Sequence, residues 1–162
     1  MRAFFVRRVV VLGTSGAGKS TVAAALAALY SVPHIDLDDL AGNDDFRGRV
    51  ELVLETAGWV VDGDFQRVLN DSVLRSAQVA VWLDLPLRVS LARMWRRTLR
   101  HRLSWEPRLA RWVLHEIRSH LRRRMTMAAR LSRHHGLQVV HLRSQDEIDT
   151  WLATERKSVT NS

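Results

Sequence analysis

The chain has 162 residues, of which 46% are hydrophobic, and this length and composition suit a single globular domain with a sizeable core. It contains no cysteine, which excludes disulfides, thiolate metal sites and thiol nucleophiles. Its formal charge of +8 is unevenly spread: residues 88–134 hold 14 arginines and two glutamates, a net +12, and the rest of the chain is −4. Such a basic segment is typical of proteins that bind anions, for example the phosphates of a nucleotide or a nucleic acid.

Strand and helix patterns alternate along the chain, which favours an α/β fold with a parallel sheet. Five short apolar runs are predicted to be strands: residues 7–12, 33–37, 59–63, 79–85 and 136–142. Helices are predicted at residues 19–29, 46–58, 65–77, 87–101, 108–134 and 144–155. One domain is expected, with a core at 7–92 and 136–156 and a lid-like basic segment at about 93–118 that leads into a long helix to about 134.

No membrane contact is predicted. The longest apolar stretch, TVAAALAAL, is too short to span a bilayer. Arg7 and Arg8 interrupt the apolar residues near the start, so the pattern of a signal peptide is not met. Together with the absence of cysteine, these features lead us to expect a cytoplasmic protein.

The stretch GTSGAGKS, residues 13–20, follows the first predicted strand and matches the pattern G-x-x-x-x-G-K-[ST] at every fixed position. Glycines let the backbone curl so that successive N–H groups point at one phosphate, and the following helix aims its positive end at the same anion. Lys19, one of only two lysines in the chain, can extend to the β- and γ-phosphates, and Ser20 can give its hydroxyl to Mg²⁺. The predicted nucleotide contacts are Gly13, Ser15, Gly16, Ala17, Gly18, Lys19, Ser20 and Thr21. The alternative is a tight strand-to-helix turn with an incidental lysine.

Carboxylates follow three predicted strands. They are Asp36, Asp38 and Asp39 in HIDLDD, Asp62 and Asp64 in VVDGDF, and Asp84 in VWLDLP. Ligands of open α/β sheets lie beyond the carboxyl ends of the strands, and phosphoryl transfer uses a carboxylate near the metal and a group that orients the acceptor. Asp36 and Asp38 are predicted on one side of an extended segment, because strand side chains alternate. The alternative, helix or turn capping, is favoured for Asp39 and Asp84.

Arginines recur at helical spacing in the basic segment. Arg93, Arg97 and Arg100 are separated by four and three residues and therefore share a helix face. Arg111, Arg118 and Arg122 could form a second set on the next predicted helix. Two such helices would make a flap over the phosphates, where arginines stabilise the charge of a transferring phosphoryl group. The alternative is a solvated basic face.

The glycine loop, HIDLDD, VVDGDFQR and VWLDLPLRVSLARMWRRTLR together resemble the small bacterial P-loop proteins of the DNA topology modulation family, a group placed among adenylate-kinase-like and shikimate-kinase-like P-loop kinases. The similarity runs from about Arg8 to Leu152. It implies a three-layer fold like that of nucleoside monophosphate kinases, with a five-stranded parallel sheet in the order 2-3-1-4-5 and an arginine-rich helical lid. It also implies ATP with Mg²⁺ as the phosphoryl donor.

The same resemblance implies roles for single residues. Asp62 resembles the aspartate of the adenylate kinase motif D-G-F-P-R, and Arg67 falls close to its arginine. HIDLD resembles the D-x-D turn of shikimate kinases, in which one acid serves the metal and the other the acceptor. Arg93 and Arg97 match the arginine pair that enters the adenylate kinase lid, and Arg143 to Gln145 match the loop that contacts adenine there. The expected catalytic residues are Lys19, Asp38, Arg93 and Arg97. The expected metal ligands are Ser20, Asp36 and Asp62. Further nucleotide contacts are expected from Arg97 and Arg143, and substrate contacts from Asp36, Asp38, Asp62, Arg67 and Arg118.

Several functions remain open at this point. The favoured one is a kinase that transfers phosphate from ATP to a nucleotide, a nucleoside or a hydroxylated metabolite. The second is an ATP-dependent regulatory protein that binds nucleic acid through the basic segment. A third is a module that holds a nucleotide without chemistry. The oligomeric state is left open between a monomer and a homodimer.

Overall fold

A five-stranded parallel sheet organises the chain. The computed structural model describes residues 8–41, 44–63, 69, 71–100, 122 and 124–161. The strands are β1 (Arg8–Gly13), β2 (His34–Asp36), β3 (Trp59–Asp62), β4 (Val79–Leu83) and β5 (Gln138–Leu142). Their order is β2-β3-β1-β4-β5 and every pair is parallel. The predicted fold class and strand order are confirmed.

Helices cover both faces of this sheet. They are α1 (Lys19–Tyr30), α2 (Leu37–Leu40), α3 (Phe46–Leu54), α4 (Ser72–Ser76), α5 (Leu87–Arg100), α6 (described over 124–131) and α7 (Gln145–Thr160). Helix α7 is longer than predicted, and α6 ends at residue 131 instead of 134. No helix among the described ranges is both long enough and apolar enough to cross a membrane.

The sheet alternation divides the core into two layers. Val9, Val11 and Val81 point to the face covered by α1 and α7, whereas Val10 and Trp82 point to the face covered by α3, α4 and α6. All of them are buried, as expected for central strands of a parallel sheet with helices on both sides. Val22 and Leu26 of α1, Val50 of α3, and Val73 and Leu74 of α4 are also buried in these layers.

The helix predicted at 65–77 is interrupted. Asp71 has φ 62°, in the left-handed region, and α4 starts only after it. Asp71 accepts a hydrogen bond from the buried Arg130 of α6, so this break anchors one helix to the other. A continuous helix through residue 71 is therefore wrong for the described residues.

The topology fixes where a ligand can bind. The chain leaves β1 towards the edge formed by β2 and β3, and later crosses to β4 on the other side of β1. In open α/β sheets the crevice beside such a reversal, at the carboxyl ends of the strands, is the binding region. The glycine loop starts at this point, because it follows β1 directly. The predicted lid-like segment at about 93–118 lies largely outside the described residues.

Candidate active site

The glycine loop has a backbone shape that only glycine adopts easily. Gly16 and Gly18 have φ values of 78° and 92°, in the left-handed region. Gly18 is the N-cap of α1, and it offers no side chain to cap the helix. Lys19 and Ser20 are the first two residues of α1, both at least partly exposed. The loop therefore presents open N–H groups, a cation and a hydroxyl at one helix terminus.

The loop is also packed against helix α5. A Cβ atom built on Gly16 would lie 2.7 Å from the carbonyl oxygen of Ser90. Ala17 is buried, and its N–H donates to the carbonyl of Thr14 at 3.1 Å. These contacts support the curled shape of the loop and thereby help to preorganise its N–H groups.

Three acidic and hydroxyl side chains converge beside the loop. Strands β2 and β3 pair so that Asp36 lies next to Asp62. Ser20 Oγ lies 3.5 Å from Asp36 Oδ2 and interacts with the Asp62 carboxylate as well. The residues predicted to bind the metal, Ser20, Asp36 and Asp62, are thus brought together on the α1 face of the sheet.

Asp62 is the most constrained of these groups. Its side chain is 2% exposed, and Oδ2 accepts no hydrogen bond from any described residue, although His34 Nε2 lies 3.4 Å away. Burial raises the pKa of the Asp62 carboxyl and the nearby charge of Asp36 raises it further, whereas hydrogen bonding from Ser20 and the proximity of His34 lower it. A buried acceptor of this kind is completed by a cation or a proton donor.

Two more buried side-chain atoms without a hydrogen-bond partner, on Thr14 and Ser90, lie at the glycine loop. Four such side-chain atoms occur in the described part of the chain, and they belong to Thr14, Trp59, Asp62 and Ser90. Thr14 lies in the glycine loop, and Ser90 backs onto it through Gly16. Buried polar groups are normally paired, so the unpaired atoms of Thr14, Asp62 and Ser90 make the surroundings of the loop a candidate binding site.

The donor set fits Mg²⁺ that arrives with phosphate. No group of three or more His, Cys, Asp or Glu side chains within the described ranges could hold a metal ion by itself. Mg²⁺ keeps several waters and commonly takes only one or two carboxylates together with substrate phosphates. Asp62 and Asp36 meet that requirement, and the Ser20 hydroxyl would add a further oxygen ligand.

The structure corrects one premise about the acids after β2. Asp36 Oδ1 accepts a hydrogen bond from the backbone N–H of Asp38 at 2.8 Å and caps α2. Asp38 therefore lies in the first turn of a helix, and the prediction that it shares one side of an extended segment with Asp36 is wrong. Asp38 and Asp39 are both exposed at the outer end of the site.

Among the arginine side chains that the structure describes, Arg93 contacts the glycine loop. It is half-buried, and its Nη1 donates to the carbonyl of Ala17 at 3.1 Å. A Cβ atom on Gly18 would lie 3.2 Å from the same nitrogen. Of the other predicted arginines, Arg67, Arg118 and the side chain of Arg97 lie outside the described residues.

A second polar network lies on the opposite face, towards α6. Asp84 is buried, and its two oxygens contact Arg124 Nε at 2.7 Å and His141 Nε2 at 3.0 Å. The His141 ring stacks on Trp82 with centroids 4.0 Å apart, and its Nδ1 lies 3.5 Å from Arg143 Nη2. Asp84 thus ties β4 to α6 and β5, a structural role consistent with its placement outside the predicted site. Arg143, the predicted adenine contact, is exposed at the carboxyl end of β5.

One residue near the site was missed by sequence reasoning. His34 lies two positions before Asp36 in β2, so strand alternation alone predicts that it shares a face with Asp36. Gln145, at the end of the loop predicted to contact adenine, contacts Arg93 across the site, and no sequence pattern indicates that contact.

Comparison with known proteins gives a limited sequence match. No model of a known protein family matches the chain. Adenylate kinase from Anaeromyxobacter sp. (strain Fw109-5) is 35% identical over 71 residues, which are 41% of this chain. That match spans about a third of the relative, 33% of its length.

The match to solved structures is more extensive. Shikimate kinase from Acinetobacter baumannii, in complex with shikimate, has a TM-score of 0.62 at 20% identity, covering 97% of this chain and 95% of that chain. Gluconokinase from Sinorhizobium meliloti 1021 has a TM-score of 0.58 at 19% identity, covering 97% and 93%. Deoxyadenosine kinase from M. mycoides has a TM-score of 0.56 at 9% identity, covering 95% and 99%. These likenesses show that the fold is that of P-loop kinases. The resemblance to the DNA topology modulation family stays a prediction.

Proposed function

We propose that the protein is an ATP-dependent phosphotransferase that moves the γ-phosphate of Mg-ATP to a small acceptor. The observation that carries this proposal is the buried Asp62 carboxylate beside Ser20 and the glycine loop, whose Oδ2 accepts no hydrogen bond from a described residue and lies 3.4 Å from His34 Nε2. In the reaction an acceptor oxygen bonds to the γ-phosphorus, the bond from that phosphorus to the β–γ bridging oxygen breaks, ADP leaves, and the acceptor proton passes to a carboxylate or to water.

Each residue has a role that its position supports. The loop N–H groups and the N-terminus of α1 bind the phosphates, and Lys19 neutralises the β- and γ-phosphates. Ser20, Asp36 and Asp62 would hold Mg²⁺, which when bound offsets phosphate charge during transfer. Arg93 lies across the loop from these carboxylates and supplies a second fixed cation.

The acceptor side favours a small molecule. Only residues 37–58 separate β2 from β3, and the described part of this stretch is taken up by the short helices α2 and α3. That leaves little room for a full nucleoside-monophosphate-binding domain. Proteins of the same fold are named as kinases of shikimate, of gluconate and of deoxyadenosine. We therefore infer that the acceptor is a nucleotide, a nucleoside or a hydroxylated metabolite.

The direct test is a screen of these acceptor classes with Mg-ATP, with release of ADP as the readout. We expect one class to raise ADP release at least tenfold above the rate in water alone. The matched control is the Lys19→Ala chain, in which no acceptor should have an effect. ADP release that no acceptor stimulates, from a chain that binds ATP, would contradict the proposed transfer.

Asp38 provides a test of the acceptor side alone. We expect Asp38→Asn to lower turnover about 10²-fold, as for loss of an acid–base or orienting group, and to change the dissociation constant of ATP less than twofold. Asp39→Asn is the matched control, because Asp39 is the next residue, is equally exposed and has no assigned role. A collapse of ATP binding in Asp38→Asn would instead assign Asp38 to the metal.

A second function has one observation in its favour, the net +12 charge of residues 88–134. Within the described part of that segment, Arg122 and Arg133 are exposed. An ATP-dependent nucleic-acid-binding regulator would bind duplex DNA with an affinity that falls steeply with salt. Duplex binding of this kind together with a failed acceptor screen would reverse the ranking of the two functions.

A further inference from the structure

Gln145 of helix α7 is linked to the glycine loop through Arg93. It is the first residue of α7, and its Oε1 accepts a hydrogen bond from Arg93 Nη2. The other nitrogen of the same guanidinium, Nη1, donates to the carbonyl of Ala17 in the loop. Arg93 is therefore held between the loop and α7.

The orientation of the Gln145 amide is fixed by its second partner. Gln145 Nε2 donates to Asp149 Oδ1 at 2.7 Å, one helical turn further along α7. A carboxylate can only accept, so the amide nitrogen faces Asp149 and the amide oxygen faces Arg93. Asp149 thereby sets Gln145 in the orientation that Arg93 needs.

The N-terminus of helix α7, where Gln145 lies, is well fixed. Ser144 caps the helix by accepting from the N–H of Glu147, and the Glu147 carboxylate accepts from the N–H of Arg143. Ile148 in the first turn is buried against the sheet. The first turn of α7 is therefore fixed by its caps and by the core.

Two contacts on one guanidinium determine its plane. Arg93 has five N–H groups, and the bonds to Ala17 and Gln145 use two of them. The remaining donors and the faces of the plane are available next to Gly18, where the phosphate-binding helix begins.

We propose that Gln145 is a positioning residue for the donor nucleotide. It holds Arg93 over the glycine loop in the orientation that contacts the bound nucleotide, and Asp149 orients Gln145 for this task. The inference rests on the proposed function, since it requires that the loop binds a nucleotide.

The experiment measures the dissociation constant of Mg-ADP for the full chain by calorimetry, because ADP binds without turnover. We expect Gln145→Leu, which keeps the shape but removes both hydrogen bonds, to weaken binding about tenfold, the low end for a hydrogen bond to a charged group because the contact is exposed. Asp146→Asn is the matched control: it removes a charge from the same exposed turn, and its effect should stay below twofold.

An exchange of donor and acceptor separates positioning from a structural role. Gln145→Glu alone should weaken binding, because a carboxylate at 145 would face Asp149. In the double variant that combines Gln145→Glu with Asp149→Asn, the carboxylate at position 145 can accept from both Arg93 and the amide at position 149. The dissociation constant of Mg-ADP should then return to within twofold of that of the original chain. In an Arg93→Ala background, Gln145→Leu should cost less than a further twofold, since the two residues act as one unit.

Two results would overturn the inference. One is that Gln145→Leu binds ADP as tightly as the original chain, and the other is that Gln145→Leu weakens ADP binding by the same factor whether residue 93 is arginine or alanine. A failed rescue by the donor–acceptor exchange would count against it as well. The Lys19→Ala variant distinguishes failure of the inference about Gln145 from failure of the proposed function. If Lys19→Ala abolishes ADP binding while the Gln145 variants bind normally, only the inference fails; if the unaltered chain binds no ADP, both fail.

Discussion

Lys19→Ala should lower turnover about 10³-fold or more and weaken ATP binding, while the fold stays intact. Lys19 is the first residue of α1 and is partly exposed, so its ammonium group contributes little to the core. Its function requires an anion at the loop, where a compact charge on a flexible stem can reach two phosphates. The measurement is steady-state ADP release with the best acceptor, together with ATP binding by calorimetry and a thermal melt.

The chain offers a matched control for this change. Lys157, the only other lysine in the sequence, lies in the last turns of α7, far along the helix from the site. Lys157→Ala removes the same charge and should leave turnover within twofold of the original. Normal kinetics in Lys19→Ala, with its fold intact, would remove the basis for a phosphate site at residues 13–20.

Asp62→Asn should separate activity from stability. Turnover should fall at least 10²-fold, because the substitution removes the charge that would hold the cation beside the γ-phosphate. Stability should rise, because a buried carboxylate whose Oδ2 accepts no hydrogen bond from a described residue, with His34 Nε2 3.4 Å away, is costly to desolvate, and the amide carries no charge. Residues at functional sites commonly lower the stability of the fold in this way. Urea unfolding in the absence of nucleotide measures the second effect.

The raised pKa of Asp62 gives this prediction a pH dependence. At pH values well below the ordinary pKa of 3.8, the carboxyl is protonated in both the folded and the unfolded chain. Its ionisation then makes no contribution to the free energy of unfolding. As pH rises, the unfolded chain releases the proton first, so the contribution of Asp62 to the free energy of unfolding falls until pH passes the folded pKa. The stability gain of Asp62→Asn should therefore be smallest below pH 4 and reach a plateau at higher pH.

Asp39→Asn, at an exposed position, is the control and should show no such growing gain. A stability difference between Asp62→Asn and the original chain that does not change with pH would mean that the Asp62 carboxylate is not desolvated as the fold indicates. A variant that is less stable at every pH would assign Asp62 a structural partner instead.

The sequence was sufficient for the sheet and the glycine loop because both depend on local signals. Short apolar runs specified the five strands, and the loop motif fixed the place where the first strand ends. The convergence of Asp36 and Asp62 followed from a general property of parallel sheets, that the carboxyl ends of neighbouring strands meet at one edge.

The errors have local physical causes. Helix α2 has only four residues and depends on the Asp36 side chain accepting from a backbone N–H, a bond that competes with extended structure. Asp71 breaks a helical pattern because aspartate tolerates the left-handed region and here also pairs with Arg130. The Arg93–Gln145 contact joins residues 52 positions apart through the orientation of one amide, which no periodicity encodes.

The outermost strand, β5, has a consequence for synthesis on the ribosome. Strand β4 ends at Leu83, and its partner β5 is complete only at Leu142. At about 5–20 residues per second, this interval lasts roughly 3–12 s, during which one edge of β4 has no partner. The sequence of β4, VAVWL, is apolar and uncharged, the kind of segment that pairs with other chains. During this interval the unpaired edge of β4 can pair with a neighbouring nascent chain on the same messenger, so slowed translation between residues 83 and 142 should lower the soluble yield.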